Sequence, residues 1–96
     1  MRVFWTDTAE AHLDGIYAYI AQNSEVYALH TVDKITKKSI QICQHPESGR
    51  QVPEFNTPQI REVFSGSYRI IYYIKPNQID VLAVIHSAMD VLDERK

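Results

Sequence analysis

Residues 60–86 read Ile-Arg-Glu-Val-Phe-Ser-Gly-Ser-Tyr-Arg-Ile-Ile-Tyr-Tyr-Ile-Lys-Pro-Asn-Gln-Ile-Asp-Val-Leu-Ala-Val-Ile-His. Three runs rich in β-branched and aromatic residues are cut by Ser65-Gly66-Ser67 and by Pro76-Asn77, so turn chemistry stands wherever the apolar pattern stops. This predicts two hairpins and three antiparallel strands. The middle run puts Tyr68, Ile70, Tyr72 and Ile74 on one face and Arg69, Ile71, Tyr73 and Lys75 on the other, so neither face is uniformly polar. The third run divides into Ile79, Val81, Ala83 and Ile85 against Leu82, Val84 and His86. A strand apolar on both sides needs two covers, and the remaining chain must supply at least one.

Upstream, Val3 to Trp5 is a short apolar run that reads as a strand added to this sheet. Asp7 and Glu10 have the spacing of a capping box and predict a helix start, after which Ala9, Leu13, Ile16, Tyr17 and Ile20 share one helical face. Gly15 inside that helix costs about 1 kcal/mol against Ala, which suggests close approach to a neighbour. Gln22-Asn23-Ser24 breaks the pattern, and Ser24 is the N-cap of a second helix running to about Gln44, ended by Pro46. On that helix Ala28, Val32, Ile35, Ser39 and Ile42 make one stripe, with Leu29, Thr36, Ile40 and Cys43 beside it. So wide an arc suits a helix touching both its partner helix and the sheet. A proline-bearing connection from Pro46 to Pro58 follows, of the length that loops in compact domains reach when they are functional or hold something in place. Past His86, Met89 and Leu92 could dock, and Asp93 to Lys96 should fray. The fold class is therefore α+β, in the order β-α-α-β-β-β, with a helical hairpin packed on a small antiparallel sheet.

Ninety-six residues support one core, so residues 1–96 should form a single domain. At 45% hydrophobic and 23% charged residues, a disordered or collagenous chain is excluded. There is no run of signal-peptide character and no stretch of 18 apolar residues, so the expected location is cytoplasmic; the lone Cys43 forms no intrachain disulfide and fits a reducing compartment. Ten Lys and Arg against twelve Asp and Glu leave a net charge of −2. Avid nonspecific nucleic-acid binding rests on a basic excess that is missing here. His12, His30 and His45 lack metal-ligand spacing, and no phosphate-binding glycine loop or nucleophile elbow occurs, so no metal and no cofactor is expected.

The words Pro46-Glu47-Ser48-Gly49-Arg50, Ile60-Arg61-Glu62-Val63, Tyr68-Arg69-Ile70-Ile71-Tyr72 and Val81-Leu82-Ala83-Val84-Ile85-His86, behind helices carrying Ala9, Leu13, Ile16, Tyr19, Ile20, Ala28 and Ile35, span nearly the whole chain. In this order they resemble the RelE/ParE superfamily of toxins from type II toxin–antitoxin modules. The long helical hairpin and the Pro-Glu-Ser-Gly-Arg linker look more like its ParE branch. The resemblance implies a growth-inhibiting toxin that binds DNA gyrase and is neutralised by a cognate antitoxin in a heteromeric complex. The alternative it implies is a RelE-like, ribosome-dependent mRNA endonuclease acting on mRNA in the ribosome.

Such a nuclease needs a base, an acid and cations for the scissile phosphate. Candidates are Glu54, Arg61, Arg69 and His86, of which Arg61, Arg69 and His86 would carry catalysis in a RelE-like enzyme. Arg61 and Arg69 flank the Ser65-Gly66-Ser67 turn, where antiparallel pairing could bring two guanidiniums together as a phosphate clamp. The alternative is that each pairs with a carboxylate such as Glu62 or Asp80. His86 has a reference pKa of about 6.5, suited to acid–base work, or is a hydrogen-bonded structural residue at a strand end. Ser87-Ala88-Met89 follows it, where the family often has basic residues, and Arg50 is the one cation from Gln44 to Ile60; both departures lean away from an enzyme. Lys34, Lys37 and Lys38 form a small basic cluster that reads as a solvated helix face or a contact for an acidic partner. The sheet face opposite the hairpin is expected to carry Ile71, Tyr73, Leu82 and Val84, apolar enough to ask for the antitoxin as cover.

Overall fold

A computed structural model describes residues 1–87; the expectations for Met89, Leu92 and Asp93 to Lys96 lie outside them. The chain runs β1 (Arg2–Trp5), α1 (Asp7–Ala21), α2 (Glu25–Gln44), a 3-10 turn (Pro46–Ser48), β2 (Arg50–Gln51), β3 (Ile60–Ser65), β4 (Tyr68–Lys75) and β5 (Gln78–His86). The five strands form one sheet in the order β1-β5-β4-β3-β2. The expected α+β order is present, with two additions. β1 joins β5 in parallel, so the sheet is mixed, and the linker contributes a two-residue edge strand against β3.

The helices start where short polar side chains can take up free backbone donors. Thr6, rather than Asp7, caps α1: its hydroxyl oxygen accepts from the Ala9 N–H at 3.1 Å and donates to the Val81 carbonyl at 2.9 Å. The cap thereby ties the first helix to the central sheet. Ser24 caps α2 as expected, accepting from Tyr27 N–H at 3.1 Å. Gly15 does not mark a close approach, since a Cβ there would meet nothing within 4 Å.

The core lies between the hairpin and one sheet face. Ala9, Ile35, Ile42, Ile70, Tyr72, Ile79, Val81 and Val84 are buried together, with Val3, Trp5, Leu13, Ile16 and Cys43 packed around them. Each fully buried Ile or Val contributes roughly 1.5–3 kcal/mol of transfer free energy. The second stripe of α2 departs from expectation: Leu29 and Ile40 are 60% and 57% exposed, because the helix turns only the Ala28–Ile35–Ser39–Ile42 side inward.

β5 contains a bulge. Ile71 pairs with Ala83 but Tyr72 pairs with Val81, so Leu82 is the extra residue. One extra residue inverts the alternation beyond it. Val84 and His86 therefore join Ile79 and Val81 on the hairpin side, opposite Ile70 and Tyr68, while Ala83 and Ile85 pass to the open side. The expected face of Ile71, Tyr73, Leu82 and Val84 is corrected accordingly: Val84 is 2% exposed in the core, Ile71 is buried on the open side, and Tyr73 remains 38% exposed there. The bulged strand also frees a backbone donor, which α1 meets: His12 Nδ1 accepts from the Val84 N–H at 3.2 Å.

Candidate functional site

Ser65 pairs with Tyr68 across a two-residue turn at Gly66-Ser67, in which Gly66 takes φ +58°. That register fixes everything upstream of it. Arg61 falls opposite Tyr72 and Arg69 opposite Phe64, so the two arginines project from opposite faces of the sheet and form no clamp. His86, opposite Tyr68, shares Arg61's face but stands four residues further along and two strands away, about 16 Å by strand geometry. The three residues proposed for catalysis are thus not brought together.

Each has other work. Arg61 donates from Nε to the Pro58 carbonyl and from Nη1 to the Gly49 carbonyl, both at 3.0 Å, fastening the two ends of the linker. The Tyr72 hydroxyl continues this tie from below, donating to the Pro46 carbonyl at 2.6 Å and accepting from the Gly49 N–H at 3.1 Å. Burial pushes the Tyr72 phenol pKa up, opposed by the Gly49 hydrogen bond and the charge of Arg61. His86 stacks edge-to-face on Tyr68 with ring centroids 5.8 Å apart. The pair lines a cleft of about 380 Å³ between the hairpin and the β3–β4 turn, with Tyr19, Tyr27 and Lys34 on its helical wall.

On the open face, Glu62 is the centre of an ion cluster. Its side chain is fully buried and accepts from Arg69 through both Nε, at 2.8 Å, and Nη2. Its other oxygen accepts from Arg50 Nε at 2.5 Å. Arg69 Nη2 also lies 3.8 Å from Glu54 Oε1, a buried oxygen too distant for a hydrogen bond. Two guanidiniums thus face two carboxylates, and the charge that a phosphate would require of Arg69 is already engaged. Asp80, the other carboxylate considered, accepts from Gln78 at 2.6 Å and pairs with Lys75 at 2.7 Å, which together hold its pKa below the usual carboxylate range.

The open face also shows aromatic side chains: Phe64 opposite Arg69 and Tyr73 opposite Asp80, exposed by 44% and 38%, and at the far edge Phe4 opposite Asp80, exposed by 50%. The Arg50 guanidinium sits 6.0 Å over the Phe64 ring. Sequence reading passed over Phe4 and Phe64, whose alternation with Val3, Trp5 and Val63 would have placed them on this side. It also passed over the central part of Glu62, the lone carboxylate inside an apolar strand. Among the described residues no group of three or more His, Cys, Asp or Glu could hold a metal, and no helix is long and apolar enough to cross a membrane.

The chain is similar to a chain of the chromosomal ParDE toxin–antitoxin system of P. aeruginosa, at 25% identity and a TM-score of 0.74, over 90% of this chain and 95% of that one. It has the same fold as a chain of the RelBE2 toxin–antitoxin complex of Mycobacterium tuberculosis (18% identity, 88% and 95% covered, TM-score 0.65). A YoeB dimer from Staphylococcus aureus shares it too (16% identity, 90% and 95% covered, TM-score 0.62). No curated protein sequence matches the chain significantly. Residues 3–91 match the family described as ParE toxin of type II toxin-antitoxin system, parDE, and the chain, a RelE/ParE superfamily toxin, belongs to that family.

Proposed function

We propose that the protein arrests growth by binding DNA gyrase in the cytoplasm, without cleaving RNA, and that a cognate antitoxin neutralises it. The observation that carries the first half is the arrangement of Arg69, whose guanidinium forks onto buried Glu62, while Arg61 and His86 project from the opposite face. A nuclease must converge a cation, an acid and a base on one phosphate. Here those groups are divided by the thickness of the sheet. Membership of the ParE family and the similarity to a ParDE system favour the same reading.

The antitoxin reading rests on the open face. Phe64 and Tyr73 are exposed there beside a pre-formed cluster of Arg50, Glu62 and Arg69, with buried Ile71 beneath and Phe4 exposed at the far edge of the sheet. Aromatic anchors beside the Arg50 guanidinium, whose side chain is 62% exposed, suit an amphipathic segment carrying carboxylates. Val84 has no part in it, and Leu82 enters only as the bulge residue.

Gyrase supercoiling and ribosome-dependent mRNA cleavage, run in parallel with the purified chain, test the proposal. Supercoiling should fail with mRNA intact. Cleaved mRNA with unaffected supercoiling would replace it by the RelE-like reading.

A further inference from the structure

On α2 the side turned away from the core is not uniformly polar. At about 100° per residue, Val26, Leu29, Asp33, Lys37 and Ile40 fall within an arc of about 80°, nearly opposite buried Ala28, Ile35, Ser39 and Ile42. Val26, Leu29 and Ile40 are 79%, 60% and 57% exposed. Between the apolar positions, Lys37 Nζ meets Asp33 at 3.0 Å, with both side chains more than half exposed.

This stripe is complementary to itself. Run antiparallel to its own copy, a helix places residue i against residue j when their sum is constant. Leu29 with Ile40 gives a midpoint at position 34.5, and Asp33 with Lys37 gives 35. The two midpoints differ by half a residue, about 0.8 Å of helix rise. One two-fold axis near Ile35 therefore sets Leu29 on the copy's Ile40, Ile40 on its Leu29, and both Asp33–Lys37 pairs across the seam. Any register that stacks Asp33 on Asp33 loses this match. We infer that α2 is a homodimerisation surface whose partner is a second copy of this chain.

A single helix pair buries less than the roughly 1,600 Å² of a standard stable interface, so the association is weak and concentration-dependent. The seam lies on the far side of the hairpin from the open sheet face, so it stands or falls independently of the antitoxin reading.

Sedimentation equilibrium of the full chain, from about 10 to 500 µM, the range in which so small an interface would assemble, should show the mass rising from 11.1 kDa toward twice that value. Ile40→Glu should hold it monomeric with an unchanged circular dichroism spectrum. The decisive arm exchanges charges. Asp33→Lys alone and Lys37→Asp alone each set like charges across the seam and should be monomeric. Mixed together they oppose lysines to aspartates at both crossings and should recover a heterodimer. A wild-type chain that stays monomeric throughout, or a mixture that fails to associate while wild type does, overturns the inference.

Discussion

Tyr72→Phe removes one oxygen atom from the core and nothing else. The residue is 0% exposed, and its hydroxyl links the central strand to the Pro46–Gly49 turn through the Pro46 carbonyl and the Gly49 N–H. Loss of the hydroxyl strands a buried amide donor, at about 1–3 kcal/mol, and a partly buried carbonyl that water can reach, at about 0.5–1 kcal/mol. A total of about 1.5–4 kcal/mol, divided by an unfolding entropy of roughly 0.2 kcal/mol/K for a chain of this size, lowers Tm by roughly 7–20 °C. Calorimetry at neutral pH measures it directly. The pH dependence supplies a second arm. Burial raises the folded phenol pKa above its unfolded value, so this stabilisation is whole below the unfolded value and is lost as pH rises through the folded one. Wild type should therefore lose its advantage over the phenylalanine variant above about pH 10. A variant within a degree or two of wild type at neutral pH, or an advantage that grows in alkali, would refute the account of Tyr72 as the linker's anchor.

Three further outcomes follow from the same packing. Gly15 and Gly49 should respond with opposite signs: Gly15→Ala, in an open helix interior, should gain about 0.5–1 kcal/mol. Gly49→Ala would drive a Cβ to 2.4 Å from the Tyr72 hydroxyl and 2.7 Å from the Glu62 carbonyl, and should lose about 1–3 kcal/mol in chemical denaturation. Glu62→Ala removes the buried carboxylate onto which Arg69 forks and should cost about 3–5 kcal/mol, read from the urea midpoint at constant m-value. His12→Phe keeps a ring of similar size but deprives the Val84 N–H at the bulge of its acceptor, a loss of about 1–3 kcal/mol; amide exchange at Val84 should rise beyond the global change.

Most of the scaffold was legible because local chemistry and global packing agree. Ser24, Pro46, Ser65-Gly66-Ser67 and Pro76-Asn77 mark element ends that the fold keeps. The facing of Tyr68, Ile70, Tyr72 and Ile74 toward the helices followed from alternation alone. The arrangement of the arginines hung on one residue of turn length. A three-residue loop would have put Arg61 and Arg69 on one face, whereas the two-residue turn at Gly66-Ser67 puts them on opposite faces. The bulge at Leu82 has no local signature, being neither glycine nor proline, and arises where Thr6 holds the Val81 carbonyl and His12 the Val84 amide, both from far away in sequence. Exposure of Leu29 and Ile40 was likewise hidden, since periodicity shows that a side chain is apolar but not which neighbour it meets.

Leu82 works as a phase shifter for the last strand. Before it, odd-numbered side chains look toward the helices; after it, even-numbered ones do. Deleting that single position would give a regular ladder with Ala83 to His86 on the faces they now hold, whereas straightening the strand with Leu82 retained would exchange inside for outside at every later site and send His86 to the Arg69 side. A homologue of equal strand length but with no bulge would thus carry a histidine in the same alignment column on the other surface of the sheet. Among these toxins, counting from the bulge rather than from the motif tells which chemistry a terminal-strand histidine can join.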